Sequence, residues 1–134
     1  MRLILALVIG IAATGSVAEA RAQSLASEDD INSGLFNVAV ADRIRDKCDA
    51  ISPRYFTALG YLQSLKTMAR KRGYSDAEID RYINDDDERD KMEERRNAYI
   101  RASGAEPNDA ASLCRLGRQE IARESQIGQL LRAR

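Results

Sequence analysis

The stretch NDAASLCRLGRQEIARESQIGQLLRAR, Asn108 to Arg134, decides how the rest of the chain reads. Steps of 100° per residue gather Ala110, Leu113, Cys114, Leu116, Gly117, Ile121, Ile127, Gly128 and Leu131 on one side. Arg115, Arg118, Gln119, Ala122, Arg123, Gln126 and Gln129 fall outside that stripe. The spacing predicts one long amphipathic helix, with one face for a core and the other for water. Cys114, near its start, has Cys48 as its one possible partner within the chain. This helix is therefore expected to tie the two ends of the domain together.

The two cysteines are read against an expected address. Arg2 is a short positive segment, and Leu3 to Ala13 is an apolar run far short of the ~20 residues a membrane span needs. Ala18-Glu19-Ala20 and Ala20-Arg21-Ala22 are small-residue cleavage signals. Residues 1–22 are thus expected to be a cleaved signal peptide, with Gln23 first in a single helical domain over 23–134. An uncleaved anchor is the competing reading; no lipidation cysteine follows the apolar run. Export places the protein in the periplasm, where one Cys48–Cys114 disulfide is expected. Two free thiols or an intermolecular bridge are the alternatives. Loss of Arg2, Arg21 and Glu19 with the signal leaves a net charge near −1. That balance argues against nucleic acid and against an anionic membrane surface as the main partner. No membrane span is expected in the mature chain.

Upstream, Ile31 to Ala50 reads as a first helix, with Phe36, Val40, Ile44, Cys48 and Ile51 inward. Leu35, Val38 and Ala39 make a second, shorter patch, read as core or as a contact with another element. Ser52-Pro53 is expected to cap and open a second helix, with Tyr55, Ala58, Leu59, Leu62, Leu65 and Ala69 as its stripe. That helix ends in Arg70-Lys71-Arg72-Gly73: cations on the negative end of the dipole, then a glycine suited to a left-handed cap. An anion site is the sharper reading of the triplet. Ser75-Asp76-Ala77-Glu78 is a capping box and starts a third helix, with Ile79, Tyr82 and Ile83 on its face. Continuing that face would bury Asp86, Asp90 and Glu93, so a break is expected near Asn84-Asp85. A fourth helix, with Met92, Tyr99 and Ala102 inward, then runs to about Ser103, before Gly104. No run alternates as a strand would. The fold class is all-α: a small bundle of four to five helices stapled by one disulfide.

Little here carries reaction chemistry. The chain has no histidine, which removes the commonest general base and transition-metal ligand. Asp85-Asp86-Asp87-Glu88 misses the calcium-loop spacing, because neither a glycine sixth nor a glutamate twelfth follows; it suits a helix start instead. No phosphate loop or nucleophile elbow is present, so no cofactor and no metal are expected. The anomaly is Glu120 and Glu124, one turn apart within the apolar stripe, where Leu or Ile would be expected. A buried carboxylate must be paired or protonated, and Arg95 and Arg96 are the candidate partners. The group reads either as a polar pocket for a ligand or a proton, or as ion pairs at the edge of the stripe. Gly117 and Gly128 on the inward face, with Gly60, are expected to mark close helix approach.

The string Cys114-Arg115-Leu116-Gly117-Arg118-Gln119-Glu120-Ile121, followed by Ser125-Gln126-Ile127-Gly128-Gln129-Leu130-Leu131, resembles the C-terminal signature of a bacterial family of small exported helical proteins of unknown function. Cys48 and the Gly73-Tyr74-Ser75 turn resemble it too. Members are sometimes labelled a subunit of respiratory NADH dehydrogenase. The chain has neither a dinucleotide fingerprint nor a cluster-ligand set, so that resemblance implies at most an accessory protein. The expected function is a non-catalytic periplasmic binding or assembly factor, its partner another envelope protein, such as one of a respiratory complex. A small-ligand or proton-handling site around Glu120 and Glu124 is the alternative.

Overall fold

A computed structural model describes residues 24–134; the expected signal segment, 1–22, lies outside them. A 3-10 turn, Leu25–Ser27, leads into α1, Asp29–Lys47. Asp29 and Asp30 in its first turn and Arg45 and Lys47 in its last complement the helix dipole. Then follow β1 (Ile51–Pro53), α2 (Tyr55–Lys71), α3 (Asp76–Ile83), α4 (Asp86–Ala102), α5 (Ala110–Ala122), α6 (Gln126–Gln129) and β2 (Leu131–Ala133). The protein is a small, mostly α-helical bundle.

Helix α1 is the central post. Its residues Val40, Ala41 and Ile44, with Cys48 just past its end, pack on Ile51, Ile100, Leu113, Leu116, Ile127 and Leu130. On its other side Ile31 and Leu35 meet Leu25, Ala69 and Ile79, with Met68, Tyr74 and Tyr82 around them. The second apolar patch of α1 is thus divided: Leu35 enters this smaller cluster, and Val38 packs on the main one. Cys48 and Cys114 are bonded, their Cα atoms 5.2 Å apart, which is ordinary for a disulfide. The bridge staples the end of α1 to the first turns of α5.

Local signals explain most boundaries. Ser75 caps α3 in a reciprocal capping box with Glu78. Asp85 caps α4 by accepting from the Glu88 amide at 2.9 Å, so the acidic run is a helix start. Gly73 and Gly104 take positive φ, 92° and 81°, where helices α2 and α4 stop.

Three expectations fail. The long terminal helix is broken: Glu124 sits at φ 52°, ending α5, and Ser125 caps the short α6 by accepting from the Gly128 amide. The polypeptide then turns back as β2, which pairs antiparallel with β1, Ser52 opposite Arg132 and Pro53 opposite Leu131. Three-residue strands are too short to show alternation, so the helical period of Ile127, Gly128 and Leu131 masked the break. Ser52-Pro53 accordingly lies in β1 and does not cap α2; the cap residue is Arg54, with no side-chain hydrogen bond. The third failure is the stripe of α2. Leu65 and Ala69 are buried, but Tyr55, Leu59 and Leu62 are exposed, along with Phe56 at 85%. In the N-terminal half of α2 only Ala58 and Tyr61 pack on the core, and the side that carries Tyr55, Phe56, Leu59 and Leu62 faces away from it. Smaller errors lie in α3 and α4: Ile83 is half-exposed and Ala102 exposed, while Ile100 joins Tyr99 in reaching the core from α4.

Candidate functional site

Glu120 is on the inward face of α5 and wholly buried. The turn after α5 explains how it is tolerated. With α5 ended at Ala122, Arg123 is free to fold back over the carboxylate, three residues on, and Ser125 approaches from the start of α6. Arg123 Nε donates to Oε2 of Glu120 at 3.1 Å, and its Nη2 donates to Oε1. Ser125 Oγ donates to Oε2, and the Tyr99 hydroxyl, from α4, donates to Oε1. Tyr99 also accepts from Arg123 Nη2 at 2.7 Å, and Ser125 accepts from the Gly128 amide at 3.0 Å. Each hydroxyl donates to the carboxylate while accepting from another group, and the network closes.

The electrostatics follow from those contacts. Burial pushes the Glu120 carboxyl up, but hydrogen bonds from Ser125, Tyr99 and Arg123 outweigh it and hold the group below its ordinary value. Burial raises the Tyr99 phenol, and the neighbouring Glu120 carboxylate raises it further. Glu120 is therefore an ionised acceptor at neutral pH. Its oxygens are occupied by three side chains, which suits a structural anion better than a proton carrier or a ligand clamp.

The other expected members of this group stand elsewhere. Glu124 is exposed, at the left-handed residue after α5, and does not meet Glu120. Arg95 lies over the Phe36 ring, 4.6 Å from its centroid, and Phe36 in turn packs edge-on against Tyr99. Arg96 bonds Asn97 at 3.0 Å and pairs with Glu93 at 3.3 Å. Neither arginine pairs with Glu120, whose cation is Arg123. The i to i+3 spacing of Glu120 and Arg123 was the available signal; it was hidden because Arg123 falls outside the apolar stripe.

The Arg70-Lys71-Arg72 triplet is largely consumed within the protein. Arg70 holds Asp76 at 2.7 Å, and Arg72 holds Asp30 and Glu28. Tyr74 donates to Glu28 at 2.9 Å, and Asn32 ties Leu25 down through its carbonyl at 2.7 Å. These contacts seat residues 24–28 along an open cleft of about 1120 Å³ lined by Leu25, Glu28, Arg72, Tyr74, Tyr82 and Asp85.

Among the described residues, the largest group of exposed apolar side chains is on the outer face of α2. Tyr55 is 66% exposed, Phe56 85%, Leu59 44% and Leu62 38%. Taking ~200 Å² for a whole aromatic side chain, the two rings alone leave roughly 300 Å² in water, which is as large as the patches that are often functional on monomers. Tyr55 and Phe56 contact each other edge-on, with centroids 5.5 Å apart. The pattern was visible in the sequence, but a helical stripe reads the same whether it faces a core or a partner.

The chain belongs to a family of unknown function, DUF5333, whose model matches residues 23–132. No curated protein and no solved structure matches it significantly. The family assignment carries no link to respiratory NADH dehydrogenase.

Proposed function

We propose that this protein is a non-catalytic binding or assembly factor that docks an envelope protein on the outer face of α2. The observation that supports it is the run Tyr55, Phe56, Leu59 and Leu62, four of the five exposed large apolar side chains among the described residues. Two of these are aromatic, the type enriched at the centres of interfaces. The rival reading, a ligand or proton site at Glu120, is disfavoured by the three side chains that already satisfy the carboxylate.

The periplasm is the compartment that suits this reading. A disulfide joins Cys48 and Cys114, and among the described residues no helix is long and apolar enough to cross a membrane. A component of a respiratory complex is one partner of the kind envisaged. The test is a photo-crosslinking residue placed at Phe56 in the native host, with a second at exposed Arg115 on α5 as control. A discrete adduct with an envelope protein from position 56 alone is expected. Adducts of equal yield from both positions, or from neither, would refute docking at α2.

A further inference from the structure

We infer that the partner segment bound by α2 is an acidic amphipathic helix, with an apolar centre and carboxylates at both ends. This rests on the docking reading above and gives it a chemistry. Between Asp49 and Asp76 the chain contains no acidic residue, but it has Arg54, Lys66, Arg70, Lys71 and Arg72. Tyr55, Leu59, Leu62 and Lys66 follow one another at i, i+4, i+7 and i+11, one continuous line along the helix. Arg54 stands just before that line and Lys66 ends it, so the exposed apolar surface is bracketed by cations. Arg70 and Arg72 are occupied by Asp76, Asp30 and Glu28. Among the described residues Arg54 and Lys71 have no ion pair, and Lys66 lies near an Asp76 already bonded to Arg70. Gly60, one turn after Phe56, lies on the flank of the face at mid-length, and a Cβ built there would meet nothing within 4 Å. That flat point leaves room for a partner side chain beside Phe56. An occupant of matching chemistry presents leucine-like side chains to Phe56 and Leu59, and glutamates or aspartates to Arg54 and Lys66.

The same charges disfavour two other occupants. A second copy laid antiparallel on α2 and centred on Gly60 would set Arg54 of one protomer beside Lys66 of the other. An anionic bilayer laid on Lys66 and Arg70 would also meet Asp76, which opens the acid-rich α3. A single acidic helix meets the cations without either penalty.

The test uses the oxidised full chain and two synthetic helical peptides of about 18 residues, a length that spans α2 at 1.5 Å per residue. Both carry leucines on one face; one has glutamates at its ends and its twin has lysines. Fluorescence anisotropy should show the acidic peptide binding at least about tenfold tighter than the lysine twin, a gap that closes in ~1 M salt. Phe56→Ser with Leu59→Ser should abolish binding of the acidic peptide. Arg54→Glu with Lys66→Glu reverses the charge at both ends of the face and should reverse the preference towards the lysine twin, in a protein whose circular dichroism matches wild type. Equal affinity for the two peptides would overturn the acidic partner and leave docking at α2 standing, which the crosslinks from position 56 judge separately. Binding of neither peptide would also overturn it. So would binding to vesicles of phosphatidylcholine and phosphatidylglycerol that Phe56→Ser with Leu59→Ser removes, or a dimer that Leu59→Ser dissolves.

Discussion

A methyl group on Gly128 would stand 2.0 Å from the carbonyl oxygen of Glu120. The contact is backbone on backbone, so neither side can yield by a rotamer change. It presses α6 onto the last turn of α5 and keeps Ser125 within reach of the Glu120 carboxylate. Gly128→Ala is therefore expected to cost about 3 kcal/mol or more, at the upper end for overpacking. Gly60→Ala, on the open face of α2, should instead gain up to about 1 kcal/mol from helix propensity. Urea melts of the two variants give the comparison, and a Gly128→Ala protein as stable as wild type would contradict this packing.

The closed network around Glu120 predicts an ordered series. In Glu120→Gln the amide oxygen still accepts from its neighbours, and Arg123, 60% exposed, turns to water. The loss should be about 1–2 kcal/mol, that of charge-assisted hydrogen bonds. Glu120→Ala strands the Tyr99 and Ser125 hydroxyls beside a void and should cost about 3 kcal/mol or more. Glu124→Gln, Arg95→Ala and Arg96→Ala should each stay within about 1 kcal/mol, because their contacts are exposed or absent. An Arg96→Ala loss equal to that of Glu120→Ala would mean that Arg96 is the buried partner after all.

Acid should destabilise the protein, and the sign follows from the direction of the shifts. Hydrogen bonding to Arg72 lowers the Asp30 carboxyl from 3.8 to about 2. Bonding to Arg70 lowers Asp76, and the Ser112 amide lowers Asp109. Glu120 is lowered as well, its hydrogen bonds overriding burial. A carboxyl held low in the folded state contributes stability above its unfolded value, and loses it as pH falls through the folded one. The urea midpoint should thus be flat from neutrality to about pH 5 and fall steadily towards pH 2. Glu120→Gln should fall less steeply below the ordinary glutamate value of 4.5. A midpoint that rises on acidification would reverse the assignment of Glu120 as an ionised acceptor.

How much of this was legible depends on how local each signal is. The inward Val40 and Ile44 of α1, the Ser75 capping box and the Asp85 start of α4 were readable, because neighbours three or four residues apart determine them. The break at Glu124 was not, since a non-glycine residue at positive φ is set by the tertiary fit of α6 and β2, not by its own preference. The pairing of β1 with β2 joins residues some eighty positions apart, beyond any local pattern. For the site, Glu120 was correctly marked as anomalous, but its partners come from α4 and from a turn hidden by apparent helical periodicity. The outer face of α2 was legible as a pattern and illegible as a surface, because apolar spacing says that a face is covered without saying by what.

The last prediction concerns the staple. Cys48 is buried beyond the end of α1, and Cys114 lies in α5, 66 positions away in sequence. Helix α5 also interlocks with α1 and β1 without the bond: a Cβ on Gly117 would lie 2.4 Å from Ile51 Cδ1 of β1 and 2.7 Å from Ile44 Cγ2 of α1. Two effects are therefore separable. The bond restricts the unfolded chain by closing a long loop, worth roughly 4 kcal/mol on the chain-entropy model. The interlock acts only in the folded state. Cys48→Ala with Cys114→Ala should keep the fold but lower the thermal midpoint by more than about 10 °C. Its denaturant slope should rise, because the unlinked chain exposes more surface on unfolding. Gly117→Ala with the disulfide intact should lower stability through overpacking and leave that slope unchanged. If the double cysteine variant melted with wild type, the loop closure would contribute nothing, and the packing of α1 on α5 would hold the two helices without it.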